Sequence, residues 1–319
     1  MHSSNDYPCD TIYFLFSRSI LHHNFRHFSS SSTKDLLRQW RESNERRSDD
    51  VMELWMTVLC NLDKLGNEKH LIVEQVIFAA LDCHEYGVAM ACITILSQEF
   101  PGSLRLMRYQ AALFEAKEQY EEALEVLDGI IKADETNAAA RKRRIAILKA
   151  QGLISEAIKE LVDYLKKFMA DVEAWQELCS LYLRVQEYPR AAFCAEELLL
   201  HQPHNHLVHQ RLADIRYTMG GVENMELAKT YYSQALKLNP DNMRAILGLF
   251  LATNNLLSHY KSSGNSGKRS EAWRLCRWAQ ARASARVRTA DHAHSHAHKH
   301  AHKHAPDLTQ MMLSLSIAE

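Results

Sequence analysis

Seven histidines, His292, His294, His296, His298, His300, His302 and His304, alternate with Ala, Ser and Lys near the carboxy terminus. Neutral imidazole ligates zinc, copper or nickel, so this is the sequence's densest store of metal-binding side chains. A resident metal also needs ligands fixed in one geometry and oriented from behind by hydrogen bonds. A low-complexity alternation supplies neither, so residues 288–306 read as a His-rich linker in preference to an evolved metal site. No H-E-x-x-H pair accompanies it. The seven cysteines, at positions 9, 60, 83, 92, 179, 194 and 276, form no C-x-x-C pair. Their odd number and apolar neighbours suit small buried hydrophobes in a reducing compartment, with neither disulfides nor structural zinc.

Two basic stretches come next. Arg141, Lys142, Arg143 and Arg144 form the tightest run. Such a run can pair with an acidic partner segment, or it can be a solvated helix face. It is too short and too poor in aromatics for nucleic acid. Residues 268–288 carry seven basic residues, the single acid Glu271, and Trp273 and Trp278. That mixture suits an anionic membrane surface, although a capping helix with a solvated basic side is the preferred reading. For catalysis there is no Gly-rich phosphate loop, no G-x-S-x-G and no carboxylate pair in an apolar setting, so neither enzyme activity nor a cofactor is expected.

The elements that carry these residues are helical. Only 10 Gly and 6 Pro occur in 319 residues, which disfavours a turn-rich β fold. The net charge of -1 gives no overall drive toward nucleic acid or anionic lipid. No apolar run approaches the ~20 residues that span a bilayer. Residues 1–33 make a poor signal peptide and read as a disordered extension.

A repeat of 34 residues organises the middle of the chain. With Val172 as position 1, Trp175, Leu178, Tyr182, Ala191 and Pro203 fall at positions 4, 7, 11, 20 and 32. This is the tetratricopeptide pattern. Stepping back in the same register gives units beginning at Ala138, Leu104 and His70, with Ala157, Ala123 and Ala89 at position 20. A fifth unit begins at His206 and needs three surplus residues around Gly220, Gly221 and Val222, expected to loop out between its helices. Small residues at positions 8 and 20 let the paired helices approach closely, and proline at 32 ends the second helix. One such unit cannot cover its own apolar face, so neighbours must stack. The fold class is therefore all-α: a tetratricopeptide superhelical solenoid with helical caps.

The organisation read from the sequence is an extension over 1–33, capping helices over 34–69, and five repeats over 70–242. Carboxy-terminal helices with a Gly/Ser loop at 258–270 follow over 243–287, then the linker to 306 and a short helix over 307–319. The capping helices are placed at 34–47 and 49–62, and the later helices at 243–257 and 271–287. The repeat register sets out a candidate partner-binding groove from Arg108, Arg141, Lys142, Arg143, Gln176 and Gln210. Residues at positions 5 and 9 lack the Lys/Asn pairing of a carboxylate clamp, which argues against binding of chaperone tails.

Several unbroken stretches exceed what a generic repeat requires: Trp40-Arg41-Glu42, Phe100-Pro101-Gly102-Ser103, and residues 137–152, 191–207 and 217–245. From about residue 34 to 257 the chain resembles the subunit 2 family of the endoplasmic reticulum membrane protein complex. The resemblance implies a non-catalytic scaffold, peripheral on the cytosolic face of the reticulum, in a complex that inserts tail-anchored and multi-pass proteins. It also implies contacts with cytosolic segments of membrane subunits and with a soluble subunit, so that membrane association is indirect. A free cytosolic adaptor that holds peptides from several partners is the alternative. Residues 1–33 and the His-rich stretch depart from the family pattern.

Overall fold

The structure, a computed structural model, describes residues 30–59 and 62–297. Among these residues there are α-helices and one 3₁₀ segment, and no strand. The chain divides into two compact units, Met1–Leu153 and Ile154–Glu319.

The first unit contains α1 (Ser30–Glu42), α2 (Ser48–Leu59), a 3₁₀ turn (Leu62–Glu68), α3 (Lys69–Asp82), α4 (Tyr86–Glu99), α5 (Leu104–Ala116), α6 (Tyr120–Ala133) and α7 (Ala138–Ala150). The capping helices exist, with shifted ends. α1 starts at Ser30, four residues ahead of the expected position, and Thr33 is buried within it. It stops at Glu42 because Asn44 adopts φ 55° and turns the chain. Leu37, Trp40, Val51 and Trp55 of this cap join Ile72, Val76 and Ala89 of the first repeat in one core. The cap thereby covers the apolar face that a terminal repeat would otherwise expose.

The second unit contains α8 (Ile154–Lys167), α9 (Val172–Arg184), α10 (Tyr188–His201), α11 (His206–Met219), α12 (Val222–Leu238), α13 (Met243–Ser263) and α14 (Ser266–Ala297). Two signals recur at the helix ends. At position 15 the chain turns through positive φ at His84, Glu118, Gly152 and Gln186. At the opposite end Asn137, Asp171, Asn205 and Asn242 cap α7, α9, α11 and α13, each side chain accepting from a first-turn backbone N–H. Position 20 is Ala in every repeat, and Ala89, Ala123, Ala157, Ala191 and Ala228 are all fully buried.

Two expectations are corrected. The surplus of the fifth repeat does not loop out. Gly220 (φ 74°) and Gly221 (φ 78°) form a two-residue turn, and α12 is 17 residues long where the other second helices have 14. Val222, in the added segment, packs against the core beside Met225, where the other second helices begin, so helix extension covers apolar surface that a loop would leave exposed. The Gly/Ser loop expected over 258–270 shrinks to Gly264 and Asn265. Gly264 takes the left-handed conformation (φ 71°) that closes a helix without a Cβ penalty. Tyr260 is buried and fixes the extra turn of α13, and α14 runs on to Ala297, beyond the expected end at 287. The later histidines and residues 298–319 lie outside the described residues.

Candidate partner-binding surfaces

The basic run lies on α7, where its side chains reach for neighbouring acids. Arg143 Nε donates to Glu115 on α5 at 2.7 Å, and Arg144 donates to Asp128 on α6 at 2.8 Å. Arg141 Nε donates to the Glu135 carbonyl at 3.0 Å. Lys142 is half-buried and is also engaged. The run therefore ties α7 to the preceding repeat as well as presenting charge. Arg108, on α5, is half-buried. Beside the same repeats, Arg105 Nε donates to Tyr109 Oη at 2.9 Å and its terminal nitrogen to Glu74 at 2.6 Å. Tyr109 titrates above its usual range because its phenol is desolvated.

Gln176 and Gln210 come together in the second unit. Both line a cavity of about 610 Å³ with Leu207, Arg211, Asp214 and Arg244. Arg211 bridges repeats by donating to Ser180 Oγ at 2.6 Å. Asp214 accepts from Tyr232 Oη at 2.6 Å and from Arg244 Nε at 2.9 Å. Burial and the Asp214 carboxylate both hold the Tyr232 phenol in its protonated form. Leu207 is 57% exposed at the edge. The wall thus offers amides, a carboxylate and guanidinium groups beside an exposed aliphatic side chain. Such a surface can receive backbone and polar side chains of an extended segment.

Register identified Gln176 and Gln210 in this wall, whereas Arg211, Asp214 and Arg244 were missed. Arg211 occupies the same position 6 as Arg143, so the repeat itself carried that signal. Arg244 follows the fifth repeat and enters the wall only because α13 packs on α12.

A second, apolar cavity of about 540 Å³ lies between α8, α9 and α10, lined by Leu165, Met169, Trp175, Tyr182 and Phe193. Trp175 Nε1 donates to the Met169 carbonyl at 2.9 Å, and its ring meets Phe193 in a T-shaped contact with centroids 6.1 Å apart. Neither cavity pairs a nucleophile with a base, and no group of three metal-ligating side chains occurs among the described residues. Burial pushes the Cys194 thiol up to about 12 and Cys83 up to about 11, and the described cysteines are unpaired thiols.

Residues 90–238 match the family model described as the EMC2 TPR-like repeat domain. The chain is 48% identical over 236 residues to ER membrane protein complex subunit 2-A of Xenopus laevis, covering 74% of this chain and 80% of that protein. It is 32% identical over 269 residues to ER membrane protein complex subunit 2 of Dictyostelium discoideum, covering 80% and 82%. Among solved structures, the C-terminal part of a TPR repeat-containing protein from Cytophaga hutchinsonii superposes with a TM-score of 0.53. That alignment is 15% identical and covers 78% of this chain and 94% of the other.

Proposed function

The chain belongs to the ER membrane protein complex subunit 2 family, and from that premise we propose that it is a non-catalytic scaffold of such a complex, peripheral on the cytosolic face of the reticulum. In this role it holds cytosolic segments of the membrane-embedded subunits and a soluble subunit, and so supports insertion of tail-anchored and multi-pass proteins. The observation that carries the reading is family membership over most of the chain, combined with the wall formed by Gln176, Gln210, Arg211 and Arg244. Repeat arrays present such walls to partner polypeptides. No helix among the described residues is long and apolar enough to cross a membrane; in this reading attachment runs through the partner subunits. Arg108, Arg141, Lys142 and Arg143 are proposed as a second contact zone, in which the intramolecular pairs of Arg143 and Arg144 orient the helix presenting them.

Affinity purification of the full chain from detergent-solubilised membranes, with mass spectrometry of what co-purifies, tests the assignment. The expected result is recovery of membrane-embedded subunits, with release of the chain from membranes by alkali. Recovery from the soluble fraction without membrane subunits would support a free adaptor instead.

A further inference from the structure

The last described helix, α14, has two unlike faces. Its inward face is a stripe of small residues, Ala272, Cys276, Ala279 and Ala283, all buried against α13. That stripe lets the two helices approach closely and leaves no inward space for large side chains. The bulky residues stand outside: Trp273 is 36% exposed and Trp278 47% exposed. At 100° per residue the two indoles lie about 140° apart on the outward arc, with Arg274 and Arg277 between them. Both arginines are exposed.

Three further cations of the helix are fixed differently. Arg282 and Arg286 reach Asp241, and Lys268 donates to Glu226 at 2.8 Å. Glu271, the one acid among residues 268–286, is paired with Lys229 at 3.3 Å. Among the described residues Arg274 and Arg277 meet no carboxylate. Arg274 donates weakly to the Ser270 carbonyl at 3.4 Å, and Arg277 lies 5.8 Å over the Trp273 ring. Ion pairs on the flank thus hold the helix in place, while the outward arc keeps positive charge and two solvent-facing indoles.

We propose that this outward face of α14 docks on the surface of an anionic phospholipid bilayer. Charge complementarity argues for that occupant. Guanidinium forks match lipid phosphates bidentately, and indole rings favour the headgroup level, where one edge is wet and the other apolar. Between residues 266 and 286 Glu271 is the one acid on the helix, and its pairing with Lys229 leaves that stretch with no unpaired carboxylate to repel the bilayer. The contact is superficial, because Arg274 and Arg277 occupy the middle of the arc where an inserting helix would be apolar. It rests on the reading that the chain works beside a membrane, and it adds a direct contact to attachment through subunits.

Sedimentation of the purified full chain with vesicles tests this without other subunits, so its outcome is separable from that of assembly. Binding is expected to vesicles containing phosphatidylserine, to weaken with salt, and to be weak on phosphatidylcholine alone. Arg274→Glu with Arg277→Glu is expected to lower binding roughly tenfold or more, and Arg274→Lys with Arg277→Lys to lower it less, because the charge stays while the bidentate fork is lost. Trp273→Ala with Trp278→Ala is expected to lower it and to abolish a vesicle-induced blue shift of tryptophan emission. Circular dichroism checks that each variant keeps its helices. Equal binding to both vesicle types, no binding by the wild-type chain, or unchanged binding by folded charge-reversed chains would overturn the proposal. In the last two cases the face is left as a contact for an acidic protein segment.

Discussion

The ring of Tyr232 on α12 lies where a side chain on Gly248 of α13 would stand: a Cβ at Gly248 would sit 2.3 Å from the ring. The same phenol donates to Asp214 on α11, which also accepts from Arg244 on α13. One tyrosine therefore joins three successive helices, and the missing Cβ of Gly248 is what admits it.

Gly248→Ala is expected to destabilise the chain by about 1–3 kcal/mol through overpacking. Helix propensity alone would favour Ala by roughly 1 kcal/mol, so the sign of the change separates the two effects. Urea unfolding measures it, and a more stable variant would show that Tyr232 moves aside without loss.

Gly152 and Gln186 occupy the same turn position with φ 78° and 62°. Nothing lies near a Cβ at Gly152, so Gly152→Ala is expected to cost about 1–2 kcal/mol from backbone strain alone. Gln186→Gly should be neutral or slightly stabilising. Thermal midpoints of the two variants should move in different directions, or one should stay still while the other falls.

Ala191 is fully buried, and its carbonyl accepts from Cys179 Sγ at 3.5 Å. Ala191→Leu would force α9 and α10 apart and is expected to cost about 1–3 kcal/mol. An unchanged unfolding midpoint would show that the helices do not meet closely at position 20.

Alkaline pH should destabilise the second unit. Burial raises the thiol of Cys194 to about 12 and, with their carboxylate partners, lifts the phenols of Tyr232 and Tyr260 above the tyrosine range. These groups fold in protonated form, so their stabilisation is complete below the unfolded values of about 8.5 for cysteine and 10 for tyrosine. It is lost as pH rises from there through the higher folded values. Denaturation series across that range should show falling stability, with a shallower fall in Cys194→Ala; a flat profile would count against the burial of these groups.

Reversing Lys142 and Arg143 to Glu is expected to weaken assembly with membrane subunits while leaving the helices formed. Loss of the half-exposed Arg143–Glu115 pair should itself cost no more than about 1 kcal/mol. Arg143→Gln, which removes that pair without reversing charge, should assemble better than the double reversal. Normal co-purification of the reversed chain would leave the run as a solvated and structural feature.

The 34-residue register by itself determined the helix pairing, because alanine at position 20 and polar caps before the first helices act locally and recur at fixed spacing. It likewise placed Gln176 and Gln210 in equivalent positions, and the structure brings them to one wall. What only tertiary structure decided was how irregular segments were used. Val222 extends α12 because its side chain finds a core to cover, and α13 continues to Ser263 because Tyr260 is buried. Arg143 and Arg144 look like free charge in the sequence. Their acids lie 28 and 16 residues earlier in the chain, and only helix packing brings them within reach. The outward placing of Trp273 and Trp278 was decided in the same way: the small-residue stripe of α14 takes the face toward α13, and the large rings are left outside.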